Sequence, residues 1–201
     1  MKYSRSEGKK TTHLRPSQIN IISGLARGVK LLMPAGDGVR PTIGRAREAV
    51  FSALGDLRDA VFWDMFAGSG ANGCEAASRG AAQVVFWEKD AAHCRCIEEN
   101  IRRTAAAGCS AKMIVSCCSA ADFCGKHFPE PDVVFADPPY AASAEWFSLV
   151  VPALVKQFTE AVVIWEVPDA PGAPGEILLA GAEEYGFELK IFGGTRFFVK
   201  K

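Results

Sequence analysis

The 201-residue sequence predicts an α/β fold. It reads as a doubly wound, mainly parallel sheet of seven strands that ends in an antiparallel hairpin, preceded by a small β-hairpin and helix. Three observations predict it. From residue 60 onward, apolar runs without strict alternation recur, as expected of strands covered on both faces. Segments with helical periodicity separate those runs. Finally, two strand-like segments near the C-terminus are joined by Gly193-Gly194, a hairpin signal.

Taken in order, residues 1–17 are polar and basic and carry no element. "QINIISGLARGVKLLM" (18–33) reads as two short strands around a glycine-containing turn, and "PAGDGVRPT" as a loop. "IGRAREAVFSALGDL" places Ala46, Ala49, Val50, Ala53, Leu54 and Leu57 at helical spacing. Then come strand "AVFWDMF", turn "GSGANG", helix "CEAASRG", strand "QVVFWE" and a long helix capped by Asp90 and ended by Gly108. Strands "AKMIVS" and "DVVFA", helix "SAEWFSLVVPALVKQ" and strand "AVVIWEV" follow, then a Pro/Gly loop over 168–176 and the final hairpin "GFELKIF-GG-TRFFVKK". The expected division is a basic tail, hairpin and helix over 1–58 and a sheet domain over 59–201.

Composition narrows the function classes. No apolar run approaches the ~20 residues of a membrane span, and the basic N-terminus lacks the apolar stretch of a secretory signal. A soluble, cytoplasmic monomer is expected. The seven cysteines lack the C-x2-C pairs of a zinc site, and the three histidines are scattered. The cysteines are expected as reduced thiols, the histidines as solvated surface residues, and no metal is expected. Net charge is zero, yet ten Lys/Arg against two Asp/Glu up to Arg47 give +8, balanced by −8 in the remainder. A basic arm on an acidic body points to a nucleic-acid partner.

The turn Gly68-Ser69-Gly70-Ala71-Asn72-Gly73 is a literal G-x-G-x-x-G, and Glu88 closes the next strand 20 positions after Gly68. Such glycines permit a tight turn and close approach of a ligand, and the acid can accept from both ribose hydroxyls. That spacing fits NAD and S-adenosyl-L-methionine alike. Asp64, inside the first strand of the sheet, leans toward S-adenosyl-L-methionine: an acid there suits an ammonium and repels a pyrophosphate.

"DVVFADPPY" (132–140) runs a buried strand into an acid and a rigid elbow. In an open α/β sheet, ligands sit beyond the carboxyl ends of the strands where strand order reverses. Asp137, Pro138, Pro139 and Tyr140 should therefore lie beside the glycine turn. The prolines fix φ and supply no N–H, Asp137 offers acceptors, and Tyr140 offers a flat π face. These describe a cradle for an amino group on a planar base, positioned for methyl transfer.

These motifs resemble the Rossmann-like S-adenosyl-L-methionine-dependent methyltransferases that act on exocyclic amines, and more closely the RsmD family of 16S ribosomal RNA guanine-N2 methyltransferases. The resemblance runs over about residues 19–199. It is carried by "INIISGLARGVKL", "RPTIGRAREAVFSAL", "DMFAGSGANGCEAASRGA", "WEKD", "DVVFADPPY", "VVIWE" and "FGGTRFFV". It implies that Asp64, Phe66, Ala67, Gly68, Ser69, Gly70, Glu88 and Lys89 hold S-adenosyl-L-methionine, with Thr42 and Arg45 at the rim. Asp137 to Tyr140 would hold the target base. The family's adenine-contacting Asp is replaced by Cys117-Cys118, which puts Cys118 in that place. Glu48 and Glu166 would contact the site or fix neighbouring arginines.

The roughly 59 residues ahead of the sheet are expected to supply a basic hairpin and helix rather than a second DNA-reading domain. A small basic arm suits a ribosomal RNA loop with a splayed base. Phosphate contacts are expected from Arg15, Arg27, Lys30, Arg40, Arg45 and Arg47, with Arg196 on the same surface. The resemblance implies an assembled small subunit or its precursor as partner. The residues alone leave open guanine N2 or adenine N6, and the wider alternatives are a DNA or RNA adenine methyltransferase or a non-catalytic RNA-binding module.

Overall fold

A computed structural model describes residues 15–34, 42–125, 127–168 and 175–201. Its element order is β1 (Arg15–Asn20), β2 (Lys30–Met33), α1 (Thr42–Leu54), β3 (Val61–Met65), α2 (Ala71–Ser78), β4 (Gln83–Glu88) and α3 (Ala91–Ala106). Then follow β5 (Lys112–Cys117), β6 (Val133–Ala136), α4 (Ser143–Gln157), β7 (Val162–Val167), α5 (Glu176–Glu184), β8 (Glu188–Phe192) and β9 (Thr195–Lys200). Seven strands form one sheet in the order β5-β4-β3-β6-β7-β9-β8. All pairs are parallel except β7–β9 and β9–β8. The doubly wound sheet with its terminal hairpin is thus as the sequence predicts. Order runs one way from β3 to β5 and the other way from β6, so the switch point lies between β3 and β6.

Wide apolar strands need cover on both faces, and both are covered. One face packs Phe62, Val84, Phe86, Phe135 and Ile164 against Val50 and Phe51 of α1, Cys74 and Ala77 of α2, and Ile97 of α3. The other packs Trp63, Trp87, Val134 and Trp165 against Phe147, Val150 and Leu154 of α4 and Leu178 of α5. Ile19, Ile21 and Leu31 of the N-terminal hairpin join the first core, so this extension shares the sheet's core.

The hairpin is tied down by side chains. Fully buried Glu75 accepts from the Ile22 and Ser23 amides at 2.7 and 3.1 Å, and Arg79 caps it at 2.7 Å. Asn100 accepts from Leu32 N at 2.7 Å and donates to Leu32 O and Ser69 O at 3.0 and 2.8 Å. The open end of the hairpin therefore reaches the glycine turn, while its 24–28 turn binds Ser78 at the far end of α2.

Three elements differ from the sequence prediction. Strand β1 starts at Arg15, inside the segment read as loose. Helix α2 starts at Ala71, so the glycine turn flows directly into its first turn. Helix α5 stands where the sequence predicts no element; it follows a Pro/Gly stretch and is only nine residues long. Among the described residues, no helix is long and apolar enough to cross a membrane, and no group of three or more His, Cys, Asp or Glu side chains could hold a metal ion.

Candidate active site

The strand ends at the switch point open into a cleft of about 600 Å³. Phe66, Gly68, Glu88, Lys89, Asp137, Pro138, Pro139 and Tyr140 line it together, as expected. Trp87, Asp90, His93, Ser119, Ala120, Trp146 and Glu166 complete the lining.

Its floor begins where β3 stops. Phe66 adopts φ 61°, a left-handed conformation rare for a residue with a side chain. Its ring is held edge-on by Trp146 and Trp165, with centroids 5.1 and 5.9 Å away. Gly68 continues with φ 56°, and a Cβ there would meet nothing nearer than the Phe66 carbonyl at 4.0 Å. Because Gly68 lines the cleft, a side chain would project into space that a ligand can use. Gly73 serves packing instead: a Cβ would lie 2.2 Å from a ring carbon of Phe86, so only glycine lets α2 settle on β4.

Asp64 lies behind this turn. It is buried, and Oδ2 accepts from the Gly73 amide at 2.8 Å, one of the N–H groups that a first helical turn leaves unpaired. Burial pushes its pKa up to about 8; the Gly73 hydrogen bond opposes the shift and the Glu88 charge adds to it. Asp64 is absent from the cleft lining, so the structure gives it a bracing role rather than the expected contact with a ligand ammonium.

Glu88 ends β4 with its carboxylate facing the cleft. Oε2 accepts from Gly68 N at 2.9 Å and Oε1 from Asp90 N at 2.8 Å. A carboxylate oxygen has two lone-pair sites, so each can still accept a hydroxyl, and together they match a vicinal diol. Asp90 caps α3 through Ala92 N and His93 N at 2.7 and 3.1 Å, and those bonds hold its carboxyl below the usual range. His93 follows from that turn. Expected on the surface, it instead lines the cleft, with Nδ1 3.7 Å from Glu88 Oε2.

Strand β6 delivers the opposite wall. The Asp137 amide reaches Met65 O at 3.4 Å, so the acid leaves the sheet beside the glycine turn. The Pro139 carbonyl accepts from Ala142 N at 2.9 Å, closing a short 3-10 turn over 140–142. That carbonyl is engaged within the turn and is not free to face the cleft. Tyr140 donates its hydroxyl to Glu166 Oε1 at 2.8 Å, which fixes the ring plane. Lys89 lies over Trp146, 5.7 Å from the ring centroid.

Several expected residues stand elsewhere. Cys118 is outside the lining, its Sγ 3.1 Å from Ser116 Oγ; Ser119 and Ala120 take the wall it was expected to form. Asp122 braces that wall by accepting from Ser119 N at 3.1 Å. Arg47 is buried, its Nη2 2.5 Å from Asn20 O, and burial lowers its pKa against the opposing charge of Glu75. A guanidinium so enclosed is not placed to reach a phosphate, which corrects its expected role. Arg27 is exposed, but on the turn bound to Ser78, away from the cleft. Lys30 is exposed on β2. Arg45 is exposed, and the Gly193 turn packs on the Arg45–Ala46 backbone; Arg196 pairs with Val167 at the cleft end of β7. Ala67, Ser69 and Gly70 build the turn without lining the cleft. Arg40 lies outside the described residues, as do the side chains of Arg15 and Thr42.

Chemically, the cleft joins a diol-accepting carboxylate to a second acid on a rigid elbow with an aromatic face. The family model described as conserved hypothetical protein 95 matches residues 19–185. Ribosomal RNA small subunit methyltransferase D of Escherichia coli K12 is 41% identical over 133 residues, which span 66% of this chain and 65% of that relative, a little under two thirds of its length. A solved hypothetical protein of Thermus thermophilus superposes with a TM-score of 0.63 at 31% identity, covering 91% of this chain and 99% of that one. Precorrin-6y C5,15-methyltransferase of Geobacter metallireducens GS-15 shares the fold alone, with a TM-score of 0.55 at 17% identity over 76% of this chain and 84% of its own. The match to the family model over most of the chain, with the motifs gathered in one cleft, places this protein in the conserved hypothetical protein 95 family, the RsmD family.

Proposed function

We propose that this protein is an S-adenosyl-L-methionine-dependent methyltransferase that modifies the exocyclic N2 amine of a guanine in 16S ribosomal RNA, acting on an assembled small subunit or its precursor. One observation carries the proposal: Glu88, Gly68 and the Asp137–Tyr140 elbow line one cleft at the switch point of the sheet. The residues present fit the cofactor. Glu88 retains acceptor capacity for two ribose hydroxyls, Gly68 leaves its Cβ space open, and Ser119 with Ala120 walls the side toward β5.

When bound, the cofactor supplies a methyl group made electrophilic by its sulfonium. The chain then has to position the amine. An exocyclic amine is a weak nucleophile because its lone pair is delocalised into the ring. Asp137 and the Pro138 carbonyl accept its two N–H groups and draw the nitrogen toward tetrahedral geometry. Tyr140, steadied by Glu166, stacks on the base. A proton leaves once the nitrogen is methylated, and Asp137 is the acceptor at hand. The contribution is positioning and electrostatics more than base strength. Arg45 and Arg196, gathered at the cleft end of the sheet, hold backbone phosphates.

The relative's name supports ribosomal RNA of the small subunit as substrate. The choice of guanine N2 rests on the family resemblance. Calorimetry with S-adenosyl-L-methionine, S-adenosylhomocysteine and NAD tests the cofactor: the first two bind and NAD does not. Binding of NAD alone would overturn the proposal.

A further inference from the structure

All seven cysteines are free thiols, and two of them, on different elements, flank the backbone of Glu88 beside the cleft. Met113 and Val115 of β5 pack against the core containing Ile97, with Ile101 of α3 on the same side. The strand period of two puts Cys117 on that face as well. Cys94 stands three and seven residues before Ile97 and Ile101, on the matching stripe of α3. Register sets Cys117 opposite Glu88. The Cys94 thiol donates to the carbonyl of that same Glu88 at 3.3 Å, so both thiols converge on one residue. Cys94 is buried, whereas Cys117 is exposed.

We propose that Cys94 and Cys117 form a modification site that a peroxide closes to a disulfide, and that closure weakens ligand binding in the adjacent cleft. The second half rests on the cofactor assignment above. Cys117 is the reachable thiol. Its sulfur attacks a peroxide oxygen; an S–O bond forms, the O–O bond breaks, and one water leaves with the Cys117 proton, giving a sulfenic acid. The Cys94 sulfur then attacks the Cys117 sulfur. An S–S bond forms, the S–O bond breaks, and a second water carries off the Cys94 proton. Two thiols and one hydrogen peroxide thus give one disulfide and two waters. Cys94 is buried and out of reach of a dissolved peroxide, so exposed Cys117 reacts first and Cys94 takes the second, resolving role. Closure removes the S–H donor from the Glu88 carbonyl and pins the first turn of α3 to the end of β5. Glu88 is also bonded to Gly68 and Asp90 through its side chain, so the displacement reaches the cleft acceptors directly.

The full-length reduced protein is treated with hydrogen peroxide, blocked with iodoacetamide and digested with trypsin. Cleavage after Arg95 separates Cys94 from Cys96 and leaves Cys117 in the peptide Met113–Lys126. The expected result is a joined pair of peptides, about 2 Da lighter than their sum, by the loss of two hydrogens. It vanishes in Cys94→Ser and in Cys117→Ser and persists in Cys118→Ser and Cys124→Ser. The Kd for S-adenosylhomocysteine rises about tenfold on oxidation, the scale of one lost hydrogen bond near the site, and recovers with dithiothreitol. No joined pair, or one that survives Cys117→Ser, overturns the site. A mapped disulfide with unchanged Kd overturns the coupling to the cleft. Reduced protein that binds no S-adenosylhomocysteine overturns the cofactor assignment and leaves the disulfide standing.

Discussion

Replacing Asp64 with Asn separates the bracing role of this residue from its charge. Asparagine keeps an acceptor for the Gly73 amide, so the hydrogen bond at 2.8 Å survives while titration is removed. The carboxyl's ordinary pKa of 3.8 is raised to about 8 in the folded protein, chiefly by burial. Between those values the folded state holds one proton that the unfolded state has released, so wild-type stability falls as pH rises. Each pH unit in the window costs about 1.4 kcal/mol, giving an upper bound of about 6 kcal/mol across it. Below about pH 4 both states are protonated and the contribution is flat; above about pH 8 both are ionised and it is flat again. Urea denaturation of both proteins from pH 5 to 9 reads this directly. The stability of Asp64→Asn minus that of wild type should climb by a few kcal/mol from pH 5 to 8 and then level off. Parallel curves for the two proteins would refute the reasoning, because they would mean that Asp64 ionises as readily when folded as when unfolded.

Other substitutions probe separate parts of the account. Gly73→Ala should destabilise by about 1–3 kcal/mol despite alanine's better helix propensity, because its Cβ meets the buried Phe86 ring at 2.2 Å; thermal denaturation reads it. Glu88→Ala should weaken S-adenosylhomocysteine binding by about 10- to 100-fold, since it removes two charged acceptors and frees Gly68 N and Asp90 N; calorimetry measures this. Asp137→Ala should lower methyl transfer by about 100-fold or more while S-adenosylhomocysteine affinity stays within about threefold. Equal loss of both in a filter-binding and transfer assay would undo that division of roles. Tyr140→Phe and Glu166→Ala should each lower the transfer rate by roughly tenfold or less through loosening of the ring, with nearly the same effect in the double variant.

The sheet was legible because its signals are local. The "QVVFWE" run coincides with β4, and "SAEWFSLVVPALVKQ" coincides with α4, since long apolar periodicity survives any tertiary context. Helix α5 was hidden by its composition. Gly181 in its middle reads as a breaker, yet a Cβ there would lie 3.3 Å from Phe147, so the glycine lets α5 approach α4. In the site, Glu88 and the Asp137–Tyr140 elbow were legible because strand ends and glycine spacing converge on the switch point. Trp146 and His93 were not, because each reaches the cleft from the first turn of a helix whose rotation depends on packing. The same limit applies to charge. Arg47 and Asp64 look like surface or ligand contacts in the sequence, but they sit on faces that the α1 and α2 packing encloses. Cys118 follows a strand end whose last turn is redirected by Asp122, which brings Ser119 forward instead.

The central claim is that this cleft presents a guanine amine to an activated methyl group. Its most direct test supplies purified protein with isotope-labelled S-adenosyl-L-methionine and small ribosomal subunits from cells lacking the corresponding gene, followed by mass-spectrometric nucleoside analysis. The account predicts labelled N2-methylguanosine in 16S ribosomal RNA, lost with Asp137→Ala. Label appearing only as N6-methyladenosine, or N2-methylguanosine formed undiminished by Asp137→Ala, would contradict it.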